Sequence, residues 1–254
     1  MGFLTALEFL TRLRVRRTPL GDLRSVAAAQ GWFPLVGLAI GGLLVAIDWL
    51  ARRALAEPSA AVLVVVTLVA ITGALHLDGL ADAADGLLGG RDRDERLRIM
   101  HDVHAGTYAI VAIVCVLAMK WAGVAALPAR ARYEALLLAP CLARFAMLVA
   151  SAAAPYARPE GAGAAFHARA WPIATIAGAA TALAVSVALL GAGGVAIVTL
   201  AAACGLAAAT VGRRFAGGMT GDLFGATIEV SEALLLLAIA ALAQRDWLHA
   251  WLLA

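Results

Sequence analysis

The residues of this chain that could do chemistry are mainly carboxylates, and they come in two sets. Asp78, Asp82 and Asp85 stand in "HLDGLADAADG", where a long apolar run gives out. Asp222, Glu229 and Glu232 stand in "GGMTGDLFGATIEVSE" near the other end. At about 100° per residue, positions 78, 82 and 85 fall within a narrow arc of one helical face. Asp222 and Glu229 repeat the seven-residue spacing of Asp78 and Asp85. Like charges so placed repel one another. Beside a membrane they are also costly to desolvate, and ionisable groups there usually mark a functional site. A divalent cation would supply the missing counter-charge, and carboxylate oxygens with retained waters are how Mg²⁺ is normally held. Two acidic faces on one side could share one ion, or hold two for an in-line displacement at phosphorus. Capping and solvation are the competing explanation, and for the charge run "RDRDERLR" it is an equal one. It does not account for three carboxylates on one face with no basic residue between them.

Other polar residues qualify as partners. His76, two residues before Asp78, can be a ligand, a proton carrier or a polar cap of the span. Arg144 lies near the middle of the apolar stretch "APCLARFAMLVA". An arginine there costs about 2.5–3.5 kcal/mol on insertion scales. It needs an anion, either an internal acid or a substrate phosphate held bidentately. Lys120 is nearer the end of its span and is expected to snorkel to the interface. His101 and His104 flank Asp102 in His-x-x-His spacing, but without a second ligand pair this is no zinc site. The glycines around both acidic motifs suit phosphate cradling and close helix packing equally, and match no P-loop or dinucleotide fingerprint.

The elements that must position these groups are membrane helices. The chain has 254 residues, of which 63% are hydrophobic and 15% charged, whereas soluble domains are about half apolar and a quarter charged. The apolar runs are continuous rather than alternating, which excludes a β-barrel. The fold class is therefore all-α: a polytopic integral membrane helical bundle with about seven transmembrane helices. Candidate spans are 32–51, 59–77, 107–127, 134–154, 172–190, 193–211 and 232–254. Residues 1–254 make a single transmembrane domain, with an N-terminal segment over 1–30 and acidic motif loops over 77–106 and 211–231. Phe3, Leu7, Leu10 and Leu13 recur at helical spacing before a run of arginines, which predicts an interfacial anchoring helix. Arginine placement puts the N-terminus and both acidic loops on the cytoplasmic side. The net charge of +3 reflects that placement, and nucleic acid is not an expected partner. Cys115, Cys141 and Cys204 are widely spaced in apolar stretches and read as small buried hydrophobes.

Together "HLDGLADAADG", "RDRDERLRIM", "PYARPEGAG" and "GGMTGDLFGATIEVSE", with "FLTRLRV" and "WFPLVGLAIGG" upstream, resemble the cobalamin synthase (adenosylcobinamide-GDP ribazoletransferase) family in order and over nearly the whole chain. The resemblance implies a Mg²⁺-dependent transferase of the bacterial inner membrane. Such an enzyme joins adenosylcobinamide-GDP to α-ribazole or its 5′-phosphate and releases GMP. It implies metal ligands at Asp78, Asp82, Asp85, Asp222 and Glu229, with catalytic roles for Asp82 and His76. It further implies substrate or phosphate contacts from Asp102, Arg144, Arg158, Glu160, Arg214 and Thr220. Association with lipid is implied, and association with other enzymes of the pathway or with a second copy is left open. The chain departs from the family pattern at residues 101–104, where His101-Asp102-Val103-His104 replaces basic-Asp-Ser-basic, so two fixed charges become titratable. Two other readings compete. A CDP-alcohol phosphotransferase also clusters aspartates, but its motif follows Asp-Gly with Ala-Arg, and here Asp78-Gly79 is followed by Leu80-Ala81-Asp82. An ion-coupled transporter would place its carboxylates at mid-membrane helix breaks, and only Arg144 fits that picture.

Overall fold

A computed structural model describes residues 2–15, 23–158 and 171–245. Its helices are α1 (Gly2–Leu10), α2 (Leu23–Ala29), α3 (Phe33–Ala51), α4 (Glu57–Thr72), α5 (Leu75–Gly89), α6 (Arg93–Ile99), α7 (Thr107–Ala125), α8 (Ala129–Ala153), α9 (Trp171–Leu190), α10 (Ala192–Ala216) and α11 (Gly221–Gln244). No strand occurs among the described residues; extended pairing is confined to one isolated bridge, Tyr156 with Met219. Among the described residues six stretches are long and apolar enough to cross a membrane: Ser25–Ala51 and helices α7 to α11. Helices α4 and α5 meet the same requirement only together, as a pair bent by 88°, which makes up to seven crossings.

That turn has a local cause. Gly73 (φ 62°) and Ala74 (φ 58°) are both left-handed, a conformation costing a non-glycine residue about 1–2 kcal/mol. Consecutive left-handed residues cannot continue α4, so α5 restarts in a new direction.

Helix α8 is the central post, in contact with α3, α9, α10 and α11. Small residues let it be surrounded. Gly37 and Gly41 of α3 form a G-x-x-x-G face, and a Cβ on Gly41 would stand 2.6 Å from the Leu136 carbonyl oxygen. Backbone-to-backbone approach of this kind replaces the hydrophobic driving force that lipid does not provide. At the end of the bundle remote from α5, Arg132 of α8 is held bidentately by Asp48 at 2.8 Å. It also donates to Glu57 at 2.9 Å and to the Val124 carbonyl at 2.9 Å. One guanidinium thus ties together α3, α4, α7 and α8.

Several expectations are revised here. Residues 211–231 are not a loop: α10 runs to Ala216, a four-residue link follows, and α11 starts at Gly221. The last span is therefore shifted towards the N-terminus, because Asp222 and Thr220 make a good helix start and Glu229 and Glu232 have partners inside the bundle. Lys120 does not snorkel. It is fully buried, donating to Glu229 at 2.6 Å and Glu232 at 2.5 Å, since two acids one turn apart satisfy an ammonium better than a long reach to water. Cys115 faces outward and is exposed, while Cys141 is buried. The N-terminal helix forms and docks on the bundle: Phe9 stacks on Phe33 with centroids 5.9 Å apart, and Leu10 is buried.

Candidate active site

The two acidic motifs meet where α5 crosses α11. Gly79 and Gly225 form the crossing point. A Cβ on Gly79 would stand 3.0 Å from the Asp222 carbonyl oxygen, and one on Gly225 would stand 3.0 Å from the His76 carbonyl oxygen. The absence of side chains at these two positions brings the flanking Asp78 and Asp222 together. Valine at 225 would force the helices apart, and an ångström of misplacement can cost about a hundredfold in rate. Gly225→Val is accordingly expected to abolish most turnover while far-UV circular dichroism keeps its helical signal.

The remaining wall comes from the segments before and after the α9–α10 pair. Ala157 donates its N–H to the Met219 carbonyl at 2.8 Å, and Met219 donates to the Pro155 carbonyl at 2.7 Å. Gly218, at φ 159°, lies so close to Pro155 that a Cβ would overlap its carbonyl. This pairing delivers Arg158, whose Nη2 lies 3.4 Å from the Asp222 carboxylate. The buried Nε of Arg158 has no hydrogen-bond partner. Thr220 caps α11, its hydroxyl accepting from the Leu223 N–H at 3.1 Å, and donates to Asp222 at 3.3 Å. Partial burial, reinforced by Asp78, Asp222 and Asp85, pushes the Asp82 carboxyl up to about 6, Arg158 opposing.

Not every candidate joins this cluster. Asp85 accepts from the Gly106 N–H at 2.5 Å and the Ala109 N–H at 3.0 Å, a capping role at the positive end of α7. Glu229 holds Lys120 inside the bundle. Arg144 is fully buried and pairs with Glu232, so of its two possible anions the internal acid is the one present; its Nε and Nη2 have no partner. His76 is buried with Nε2 unpartnered, beside Arg144, Glu232 and Lys120. Arg214 is exposed, its guanidinium 5.5 Å from the Phe215 ring. Asp102 is exposed and accepts from the His104 N–H at 3.0 Å and lies 2.7 Å from His104 Nδ1, contacts that lower its carboxyl. Glu160 lies outside the described residues.

Among the described residues no group of three or more His, Cys, Asp or Glu side chains is gathered as a metal cage. The arrangement still fits a hard divalent cation of the Mg²⁺ type. That ion is commonly held by one or two carboxylates together with substrate phosphates and water, rather than by an all-protein cage. Asp78 and Asp222 would offer such a pair of oxygen donors, with Asp82 adding to the excess of negative charge.

The sequence pattern of a family described as cobalamin-5-phosphate synthase matches residues 2–240. The chain belongs to that family. It is 40% identical over 244 residues to the adenosylcobinamide-GDP ribazoletransferase of Pseudomonas paraeruginosa, covering 94% of this chain and 97% of the relative. It is 35% identical over 237 residues to the protein of the same name from Prosthecochloris aestuarii, covering 92% and 94%. No solved structure matches. Within the family fold, two arginines of the run "RDRDERLR" have a role that a solvated face does not describe. Arg93 donates to the Ala216 carbonyl at 3.1 Å and the Ala157 carbonyl at 2.9 Å, and Arg96 donates to the Phe215 carbonyl at 3.4 Å. These cations sit at the negative end of α10 and clamp α6 against both segments that carry the Arg158 wall. The sequence signal for them was weak, because charge alone does not distinguish a solvated arginine from one reaching a helix end.

Proposed function

We propose that this chain transfers the adenosylcobinamide phosphate unit from adenosylcobinamide-GDP to α-ribazole or its 5′-phosphate, releasing GMP. The observation that carries the reading is the meeting of Asp78, Asp82 and Asp222 at the Gly79–Gly225 crossing, with Arg158 beside them. The names of the family and of its relatives support it. In this reading the acceptor's 3′-hydroxyl oxygen bonds to the phosphorus attached to the corrinoid arm. The anhydride bond to GMP breaks, and the hydroxyl proton passes to the Asp82 carboxylate. Asp82 suits that role because burial and its acidic neighbours raise its proton affinity. Arg158 faces the charge that builds on the phosphoryl oxygens. Asp78 and Asp222 would hold Mg²⁺, leaving Asp82 free for the proton, and the ion when bound would neutralise the diphosphate and the leaving GMP. The site faces the cytoplasm of a bacterial inner membrane in this account, on the side where arginines collect. His76 and Arg144 act from beneath, as positioning residues.

Two results test the account. Sealed vesicles containing the protein should convert labelled corrinoid-GDP and acceptor into joined product plus GMP. Accumulation of unchanged corrinoid inside the vesicles, with no GMP, would mean transport instead. The second test is pH. Asp82 binds its proton more tightly in the folded state than unfolded, so in EDTA the stability it contributes is full below about pH 4 and is lost as pH rises through about 6. Thermal unfolding should therefore show a falling midpoint across that window, flattened in Asp82→Asn. Added Mg²⁺ should restore stability at pH 7.5 but not at pH 5.

A further inference from the structure

Two cavities flank Asp78, and the N-terminal segment builds part of both. One, of about 420 Å³, mixes polar and apolar surface about equally and is lined by Glu8, Thr11, Arg12, Arg14, Thr72 and Asp78 among others. The other, of about 250 Å³, is mostly apolar, with Phe9, Leu10, Met147, Phe224 and Ile228 in its wall and Asp78 and Asp222 at its edge. Phe9, Leu75 and Asp78 belong to both.

The segment is fixed there rather than merely nearby. The Arg12 N–H donates to the Ile71 carbonyl at 2.8 Å. The Arg12 side chain lies over Gly73 so closely that any Cβ there would overlap it. Glu8, in the same wall, accepts from the Val15 N–H at 3.0 Å. Among the described residues neither Arg12 nor Arg14 is paired with a carboxylate, and both are exposed.

We propose that Arg12 and Arg14 bind the 5′-phosphate of the acceptor, whose planar base occupies the apolar cavity on the other side of Asp78. This rests on the transferase reading above and adds where the acceptor lies. A phosphorylated nucleoside has an anion at one end, a flat apolar base at the other and hydroxyls between. The two cavities present arginines, an aromatic and thioether wall, and between them the Asp78 carboxylate, with Asp82 one turn further along α5 to take the hydroxyl proton. At about 420 and 250 Å³ the two cavities match the size of a nucleotide rather than of a corrin ring. Phosphate on a guanidinium is a charge-assisted contact, roughly twice as strong as a neutral one. Arg12 and Arg14 are then the residues that make the enzyme distinguish the phosphorylated acceptor from the free nucleoside.

The test uses the full chain in detergent, with corrinoid-GDP saturating and either α-ribazole or α-ribazole 5′-phosphate varied. Arg14→Ala and Arg12→Ala should each lower kcat/KM for the phosphorylated acceptor about tenfold or more, leave that for α-ribazole nearly unchanged, and leave the corrinoid KM where it was. Met147→Trp, which fills the apolar cavity, should raise KM for both acceptors alike. Equilibrium dialysis of labelled α-ribazole 5′-phosphate, without corrinoid, should show the same loss in the arginine variants. Absence of turnover in the wild type would sink the transferase reading, and the dialysis would still decide the subsite. Equal losses for both acceptors, or a change confined to the corrinoid KM, would overturn the proposal. So would a difference between wild type and variants seen only when phosphatidylglycerol is added to the micelles, since the arginines would then be holding lipid headgroups.

Discussion

Asp222→Asn and Asp78→Asn are each expected to lower kcat by about 10²- to 10³-fold, the usual consequence of removing a preorganised electrostatic group. Asparagine preserves size and the helix start, so the loss reports charge. Asp222 is positioned by Thr220, which caps its helix and bonds its carboxylate, and by Arg158 at 3.4 Å. Asp78 is delivered to the same place by the glycine crossing. Because the two act as one site, the double variant should be scarcely worse than either single one. Fully multiplicative losses would show instead that the motifs work independently. Asp85→Asn, by contrast, should reduce stability more than chemistry. Asp85 caps the first turn of α7 through two backbone N–H groups, and losing a cap costs about 1 kcal/mol.

The largest stability effect is expected from Glu232→Ala. Its carboxylate accepts from Lys120 at 2.5 Å and pairs with Arg144, and all three side chains are at most 1% exposed. Removing one partner of a buried pair typically costs about 3–5 kcal/mol, because the other charge remains uncompensated. Here two cations lose it, and only Glu229 is left to hold Lys120. The unfolding midpoint of the detergent-solubilised protein should fall steeply, and yield from membranes with it. Replacing Lys120 and Glu229 together with apolar residues of similar volume should cost much less than Glu232→Ala, because no lone charge is created. A Glu232→Ala variant as stable as wild type would mean that water reaches this cluster.

The number of spans and the two acidic motifs were legible because they depend on composition and short-range spacing. Long apolar runs and three carboxylates on one face survive any detail of packing. The partnerships inside the bundle were not legible. Lys120 in one span and Glu229 and Glu232 in another look like independent anomalies until the helices pack, and a seven-residue spacing reads alike whether the acids face a metal or a lysine. For the same reason Asp85 looked like a third ligand: capping is visible only once Gly106 and Ala109 are in place. The placement of Arg12 and Arg14 beside Asp78 was beyond sequence reach as well. It depends on the 88° turn between α4 and α5, which no local periodicity announces. The expected span 59–77 ran through Gly73 and Ala74, and Ala74 in a left-handed conformation is the kind of exception that tertiary packing imposes.

The central claim is that the crossing of α5 and α11 is a site for displacement at phosphorus. GMP release by the purified protein tests it most directly, measured with adenosylcobinamide-GDP alone, with both substrates and Mg²⁺, and with both substrates in EDTA. The account predicts release only when both substrates and Mg²⁺ are present, one GMP for each corrinoid joined. GMP released without acceptor, or undiminished release in EDTA, would contradict it.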